Sequence, residues 1–138
     1  MGVYYMIEKY ILTGDKLPTL PTPHDCEIVE IECKDDYLIF KFSDEINLYD
    51  SISYVHPNAN SLVIKYHLAQ PEVYVYKWKN RIFGKGYEFV DNKKLISKHK
   101  HLEYLYQYVS YSQLIIKLWS MTEIIVEFEC DYVEYEWL

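Results

Sequence analysis

Alternation of apolar and polar residues runs through most of this chain, and it is clearest from Gln113 to Trp137. Leu114, Ile116 and Leu118 alternate with Ile115, Lys117 and Trp119, and Ile124, Val126, Phe128, Cys130 and Tyr132 alternate with Glu123, Ile125, Glu127, Glu129 and Asp131. A period of two sends successive side chains to opposite faces of a sheet, so the pattern predicts two strands with one apolar face and one largely acidic face. Ser120, Met121 and Thr122 are short enough to join them as a hairpin. After Asp131 the apolar set becomes Val133, Tyr135 and Trp137, with Glu134 and Glu136 between. A one-residue slip of phase inside a regular strand is what a β-bulge produces, and one is expected between Asp131 and Val133.

The same pattern recurs upstream. Residues 3–12 read as a first strand ended by Gly14-Asp15, and prolines at 18, 21 and 23 make the next stretch an extended connector without ladder bonds. Val29, Ile31 and Cys33 alternate with Glu30, Glu32 and Lys34; after Asp35-Asp36, Leu38, Phe40 and Phe42 form a second apolar set. This is a hairpin with a two-residue turn that lacks the glycine such turns prefer. Ile46 and Leu48 suit a short edge strand. Leu62 to Leu68 and Val73 to Trp78 read as two strands with a turn at Ala69-Gln70-Pro71, and Tyr87 to Val90 as another. Between 95 and 109 the periods conflict. Leu95, His99, Leu102, Tyr106 and Val109 have helical spacing, while Tyr104, Tyr106 and Tyr108 have strand spacing. Aromatic and β-branched content favours a strand from Glu103 to Val109 preceded by a short helix near 92–100. The architecture expected is an all-β, single-domain antiparallel sandwich or partly open barrel of about eight to ten short strands. The alternative is α+β, with a longer helix over 93–109.

Composition narrows the picture. The 138 residues suit one domain, half of them are apolar, and only four are glycine and five proline, which argues against disorder. Sixteen tyrosines and three tryptophans suit pleated surfaces. The three cysteines contain no C-x-x-C pair and cannot all pair with one another, which fits a reducing, cytoplasmic setting. No apolar run reaches membrane-spanning length, no secretory leader is evident at the N-terminus, and Met6 stands where a myristoylation motif wants Ser or Thr.

The formal net charge is −7, which counts against non-specific binding of nucleic acid or anionic membrane. The charge is also segregated. Acids crowd 25–50 and 122–138, and bases crowd 77–100. If the strand phases hold, Glu127, Glu129 and Asp131 share one face about 7 Å apart. Glu30 and Glu32 share another, and Glu134 and Glu136 continue the tail. Such a face, rich in tyrosine, suits a non-enzymatic protein-binding domain that engages a basic partner, for example a stoichiometric inhibitor or immunity-type protein. The bland reading is that these are the solvated faces of one-sided sheets.

Other chemistries are thinner. His24, Asp25 and Cys26 are the densest reactive cluster, but alternate neighbours in an extended chain point apart, so a small Cys/His enzyme would need a distant base such as His67 or His101. A metal-dependent variant would draw on His24, Cys26, His56, His67, His99 and His101, whose spacings match no strong zinc signature. No cofactor motif is present, and none is expected. Lys77, Trp78, Lys79, Arg81, Phe83 and Lys85 interleave bases with aromatics as single-stranded nucleic-acid binders do, against the net acidity of the chain. A homodimer through a sheet edge is a further possibility.

Overall fold

In the computed structural model, residues 4–81, 84–92, 95, 96 and 98–138 are described. The chain is all-β. Its strands are β1 (Met6–Ile11), β2 (Glu27–Lys34), β3 (Tyr37–Phe42), β4 (Leu62–Arg81), β5 (Gly84–Val90), β6 (Lys98–Ser110), β7 (Gln113–Trp119) and β8 (Glu123–Trp137). They form one antiparallel sheet in the order β1-β8-β7-β6-β2-β3-β4-β5, and an additional β8–β4 pairing closes β2-β3-β4-β8-β7-β6 into a ring. β1 and β5 remain outside the ring as edges.

The ring is held by its two longest strands, β4 and β8, of 20 and 15 residues. They pair along nearly their whole length, from Leu62↔Trp137 to Lys77↔Ile124. Two irregularities interrupt the ladder at one place. Leu68 pairs with Cys130 and His67 with Tyr132, so Asp131 is the extra residue of a bulge, where the sequence phase slip put it. On β4 the next pair is Val73↔Phe128, which leaves 69–72 opposite Glu129 alone. Each strand changes its second neighbour here. β4 leaves β3 after Tyr37↔His67 and takes β5 from Val75↔Val90, while β8 leaves β7 at Gln113↔Glu129 and takes β1 at Ile11↔Tyr132.

Several expectations are corrected here. Ala69-Gln70-Pro71 is not a turn between two strands but a bulged interruption within β4; proline has no N–H to contribute to a ladder, and none is needed there. Ile46 and Leu48 belong to a 3₁₀ turn (Ile46–Leu48) followed by α1 (Asp50–Ser53), not to an edge strand. No long helix covers 93–109: β6 is strand throughout, with Leu105 as an extra residue between Tyr104↔Leu118 and Tyr106↔Lys117. That bulge turns Leu102 and Tyr104 inward before it and aims Tyr106 and Tyr108 outward after it, so residues of one parity do not keep to one face as they would in a regular strand. Leu95 and Ile96 donate to the Asn92 carbonyl at 2.9 and 3.2 Å in a single helical turn; 93, 94 and 97 lie outside the described residues. In β2 the register shifts between Ile28 and Glu30, so Val29 is the extra residue and Ile28 and Ile31 both face the core; Cys33, in phase with Ile31 and opposite Leu38, is exposed near the end of the strand. The Asp35-Asp36 turn has φ of 52° and 65°, the primed geometry that matches strand twist; aspartate tolerates it better than most residues with a Cβ.

The core is one cluster of inward side chains with no buried charge among the described residues. Phe40, Phe128, Tyr66, Tyr104, Tyr135 and Trp137 are its large members. Tyr66 packs edge-on against Phe40 and Phe128 at 5.2 Å. The proline-rich connector crosses the core, and because its carbonyls have no ladder to join, inward side chains serve them. Tyr135 donates to Pro21 O at 2.7 Å, and Gln107 Nε2 donates to Leu20 O at 2.9 Å. The Tyr66 hydroxyl is buried without a hydrogen-bond partner among the described residues. Tyr66→Phe is therefore expected to be neutral or stabilising by up to about 1 kcal/mol, because it removes an unsatisfied polar group. Tyr135→Phe, which strands a carbonyl, should cost about 1 kcal/mol; urea unfolding midpoints of the two variants test the contrast.

Burial pushes the thiols of Cys26 and Cys130 up to about 12, and burial likewise raises the hydroxyl of Tyr66 and that of Tyr135. A group whose folded pKa exceeds its unfolded value keeps its proton in the native state after the unfolded chain has lost it. Stability is therefore intact below about pH 8.5 and falls between there and about 12, by roughly 1 kcal/mol per pH unit for each thiol. Melting temperature should be flat from pH 6 to 8 and drop steeply above 9; Cys26→Ala/Cys130→Ala should make the drop shallower.

Candidate functional site

Closing the sheet puts every second side chain on the outside of a wall. On the half built from β2, β3, β4, β8 and β1, register aligns three rows: Glu30-Lys41-Val63-Glu136-Ile7, Glu32-Ile39-Lys65-Glu134-Lys9 and Lys34-Tyr37-His67-Tyr132-Ile11. The bulge at Asp131 keeps Glu134 and Glu136 on the same outer face as Glu127 and Glu129 despite the change of phase. Glu30, Glu32, Glu134 and Glu136 are thus brought together on one wall, a juxtaposition that alternation along the chain did not suggest, and lysines stand among them. Lys41 lies 3.1 Å from Glu32 and 3.9 Å from Glu30, and Lys65 lies 3.1 Å from Glu136. The hydrogen bond to Glu32 raises the pKa of Lys41. An open cleft of about 390 Å³ lies over Tyr37, Lys65, Glu134 and Glu136. Charge on this half is interleaved, not single-signed.

At the bulge sits a cluster that sequence reasoning missed. Asp131 accepts from His67 Nδ1 at 2.7 Å, and the His67 ring stacks on Tyr132 at 4.5 Å and 5°. Tyr132 and Tyr37 share a 2.6 Å hydroxyl contact, which raises the pKa of Tyr37. Lys9 lies 4.0 Å above the Tyr132 ring. The bulge itself was legible as a phase slip. That it would aim Asp131 at a histidine 64 positions away was not, because that depends on the β4–β8 register. This cluster ties the outer wall together where the strands change partners.

The other half of the wall, on β6, β7, β8, β4 and β5, differs in character. Register aligns Tyr106-Lys117-Ile125-Tyr76-Phe89 in one row and Tyr108-Ile115-Glu127-Tyr74 in the next. Tyr76 and Phe89 meet edge-to-face at 5.8 Å, as do Trp78 and Tyr87 at 5.0 Å. Phe89 is 63% exposed and Tyr108 56%. Glu123 is held below the usual carboxylate range, first by the Tyr87 hydroxyl at 2.6 Å and then by Lys117 at 3.1 Å. Glu127 and Glu129 are different. Gln113 donates to Glu127 at 2.9 Å, and no described lysine, arginine or histidine pairs with either. With Glu72 and Tyr74 they line an open groove of about 310 Å³.

Alternation splits the basic-aromatic stretch between two faces. Trp78 and the exposed Lys85 belong to the outer face, whereas Lys77 and Lys79 share the inner face with Val75. The Arg81 side chain and Phe83 fall outside the described residues. The combination that stacking and phosphate contact need is therefore not assembled on one surface of the described residues.

Of His24, Asp25 and Cys26, His24 Nε2 and Asp25 Oδ1 lie 3.4 Å apart, but Cys26 does not join them. Cys26 is fully buried, and its thiol is pushed up to about 12 chiefly by burial, the reverse of an activated nucleophile. His24 bonds the Leu105 carbonyl at 2.8 Å and stacks on Tyr106, while exposed Asp25 takes φ 68° at the turn into β2. Elsewhere His56 hydrogen-bonds Tyr4 and Glu8, and Trp137 donates to the same Glu8 oxygen at 2.7 Å, which fastens β1 to the 54–60 loop. His101 is exposed, and the His99 side chain is outside the described residues. Among the described residues no three His, Cys, Asp or Glu side chains are placed to hold a metal ion, and no helix is long and apolar enough to cross a membrane. No protein-family model, curated protein or solved structure matches this chain.

Cys33 is the exposed thiol, and Cys26 and Cys130 are buried. Iodoacetamide at neutral pH should accordingly add one carbamidomethyl group to the native protein and three after denaturation, read by intact mass. Rapid native labelling of Cys26 would restore it as a candidate nucleophile.

Proposed function

We propose that this chain is a non-enzymatic protein-binding domain that engages a basic partner protein, in the manner of a stoichiometric inhibitor or immunity-type protein. The contact is made by the Glu72, Glu127 and Glu129 half of the outer wall together with Tyr74, Tyr76, Phe89 and Tyr108. The observation that carries the reading is the difference between the two halves. Glu30, Glu32 and Glu136 spend their charge on Lys41 and Lys65, whereas Glu127 and Glu129 face solvent without a described cation, beside exposed rings. Uncompensated carboxylates attract a cationic surface and speed encounter. Rigid, amphipathic tyrosines then supply contact area at low entropic cost. Glu134, which has Lys65 opposite it in the ladder, is a rim residue on this reading, and Asp131 acts through its hold on His67.

Pull-down from the source cells with wild-type protein, Glu127→Lys/Glu129→Lys and Glu30→Gln/Glu32→Gln separates the halves. A basic protein should co-purify with wild type and with the Glu30/Glu32 variant. The Glu127/Glu129 variant should retain at least tenfold less, with its melting temperature within about 2 °C of wild type, since exposed charges contribute little to stability. Equal retention by both variants removes this face from the function.

A further inference from the structure

The inner face of β4 changes character along its length. Val73 and Val75 are buried in the core, and the next two inward positions are Lys77 and Lys79, both half-buried. β4 outruns its partner here, because the last β4–β8 pair is Lys77↔Ile124 while the β4–β5 hairpin continues to Arg81↔Gly84. The two lysines therefore lean over the mouth of the ring, at the end where β7 turns into β8. Beneath them lies a cavity of about 240 Å³ with an apolar floor of Val75, Val90, Leu95, Leu102 and Ile124. Glu88 stands opposite Lys77 in the β4–β5 ladder, but Gly86 stands opposite Lys79. A Cβ added at Gly86 would meet nothing within 4 Å, so the space beside Lys79 is open. Neither lysine makes an ion pair with a described residue.

We infer that this mouth binds a small amphipathic anion, a single carboxylate on an aliphatic or aromatic body. Three features point to that class. The mouths of β-barrels are preferred ligand sites, and a floor of five apolar side chains desolvates a hydrocarbon body. Two ammonium groups at the rim, on stems that pack along apolar surface, complement one carboxylate. A volume of about 240 Å³ suits a small ligand body of about ten heavy atoms. The bland account of inward lysines near an exposed hairpin is protection of a sheet edge against pairing with other chains, and it predicts no ligand. The site lies on the opposite face of β4 from the acidic groove and is independent of the reading given above.

Octanoate, octanol and octylammonium, titrated into the whole protein and followed by calorimetry and backbone amide shifts, test the inference. Octanoate should bind with shifts centred on Val75 to Lys79, Val90, Leu102 and Ile124. Octanol should bind at least tenfold more weakly, and octylammonium not at all. Lys77→Gln/Lys79→Gln should weaken octanoate at least tenfold. Lys85→Gln, a change of the same kind on the outer face, should leave it unchanged, as should Glu127→Lys/Glu129→Lys. No octanoate binding up to millimolar concentration, equal affinity for octanoate and octanol, or equal weakening by Lys85→Gln would overturn the inference.

Discussion

The whole architecture depends on the pairing of β4 with β8 and on the two irregularities that face each other across it. Straight, fully paired strands of 20 and 15 residues would build a flat ribbon. The bulge at Asp131 and the interruption at 69–72 let both strands bend at one point, so each serves two neighbours in succession and the sheet curls until its ends meet. Closure satisfies backbone groups that an open sheet would expose and, among the described residues, leaves β1 and β5 as edges. Pro71, a poor residue for an uninterrupted ladder, sits in a stretch of β4 where no ladder bond to β8 is required.

The same geometry explains where the tyrosines go. Tyr66, Tyr104 and Tyr135 are fully buried because strand alternation aims them into the ring's core, where Tyr66 packs against Phe40 and Phe128 and Tyr104 against Phe42. Their hydroxyls then need partners. For Tyr135 the proline-rich connector provides one, since prolines leave carbonyls without reciprocal amides. The connector and the core are thus mutually dependent. Tyr74, Tyr76, Tyr106 and Tyr108 are outward, and they give one half of the wall its aromatic surface.

Electrostatics divides the wall again. A count of charge along the chain suggests acidic faces, but a count along the sheet does not, because cross-strand neighbours come from distant positions. Lys41 and Lys65 neutralise much of one half, and around Glu127 and Glu129 an acidic surplus remains exposed beside aromatic rings. The same strand parity that aims Tyr74 and Tyr76 outward aims Lys77 and Lys79 into the mouth, so β4 presents an acidic-aromatic contact surface on one side and a cationic rim on the other.

Strand identity, the β7–β8 hairpin, the Asp35-Asp36 turn and the bulge after Cys130 were determined by local pattern, because alternation and phase slips need only near neighbours to be read. Where bulges shifted phase, as in β2 and β6, the pattern misled: Val29 gave up its place in the core-facing set to Ile28, and 93–109 resembled a helix. Closure of the ring, the His67–Asp131 contact, the neutralisation of Glu30, Glu32 and Glu136, and the inward aim of Lys77 and Lys79 were decided by tertiary structure alone. Each depends on register between strands far apart in the chain, and register is set by the global packing of one apolar face, which no local window contains.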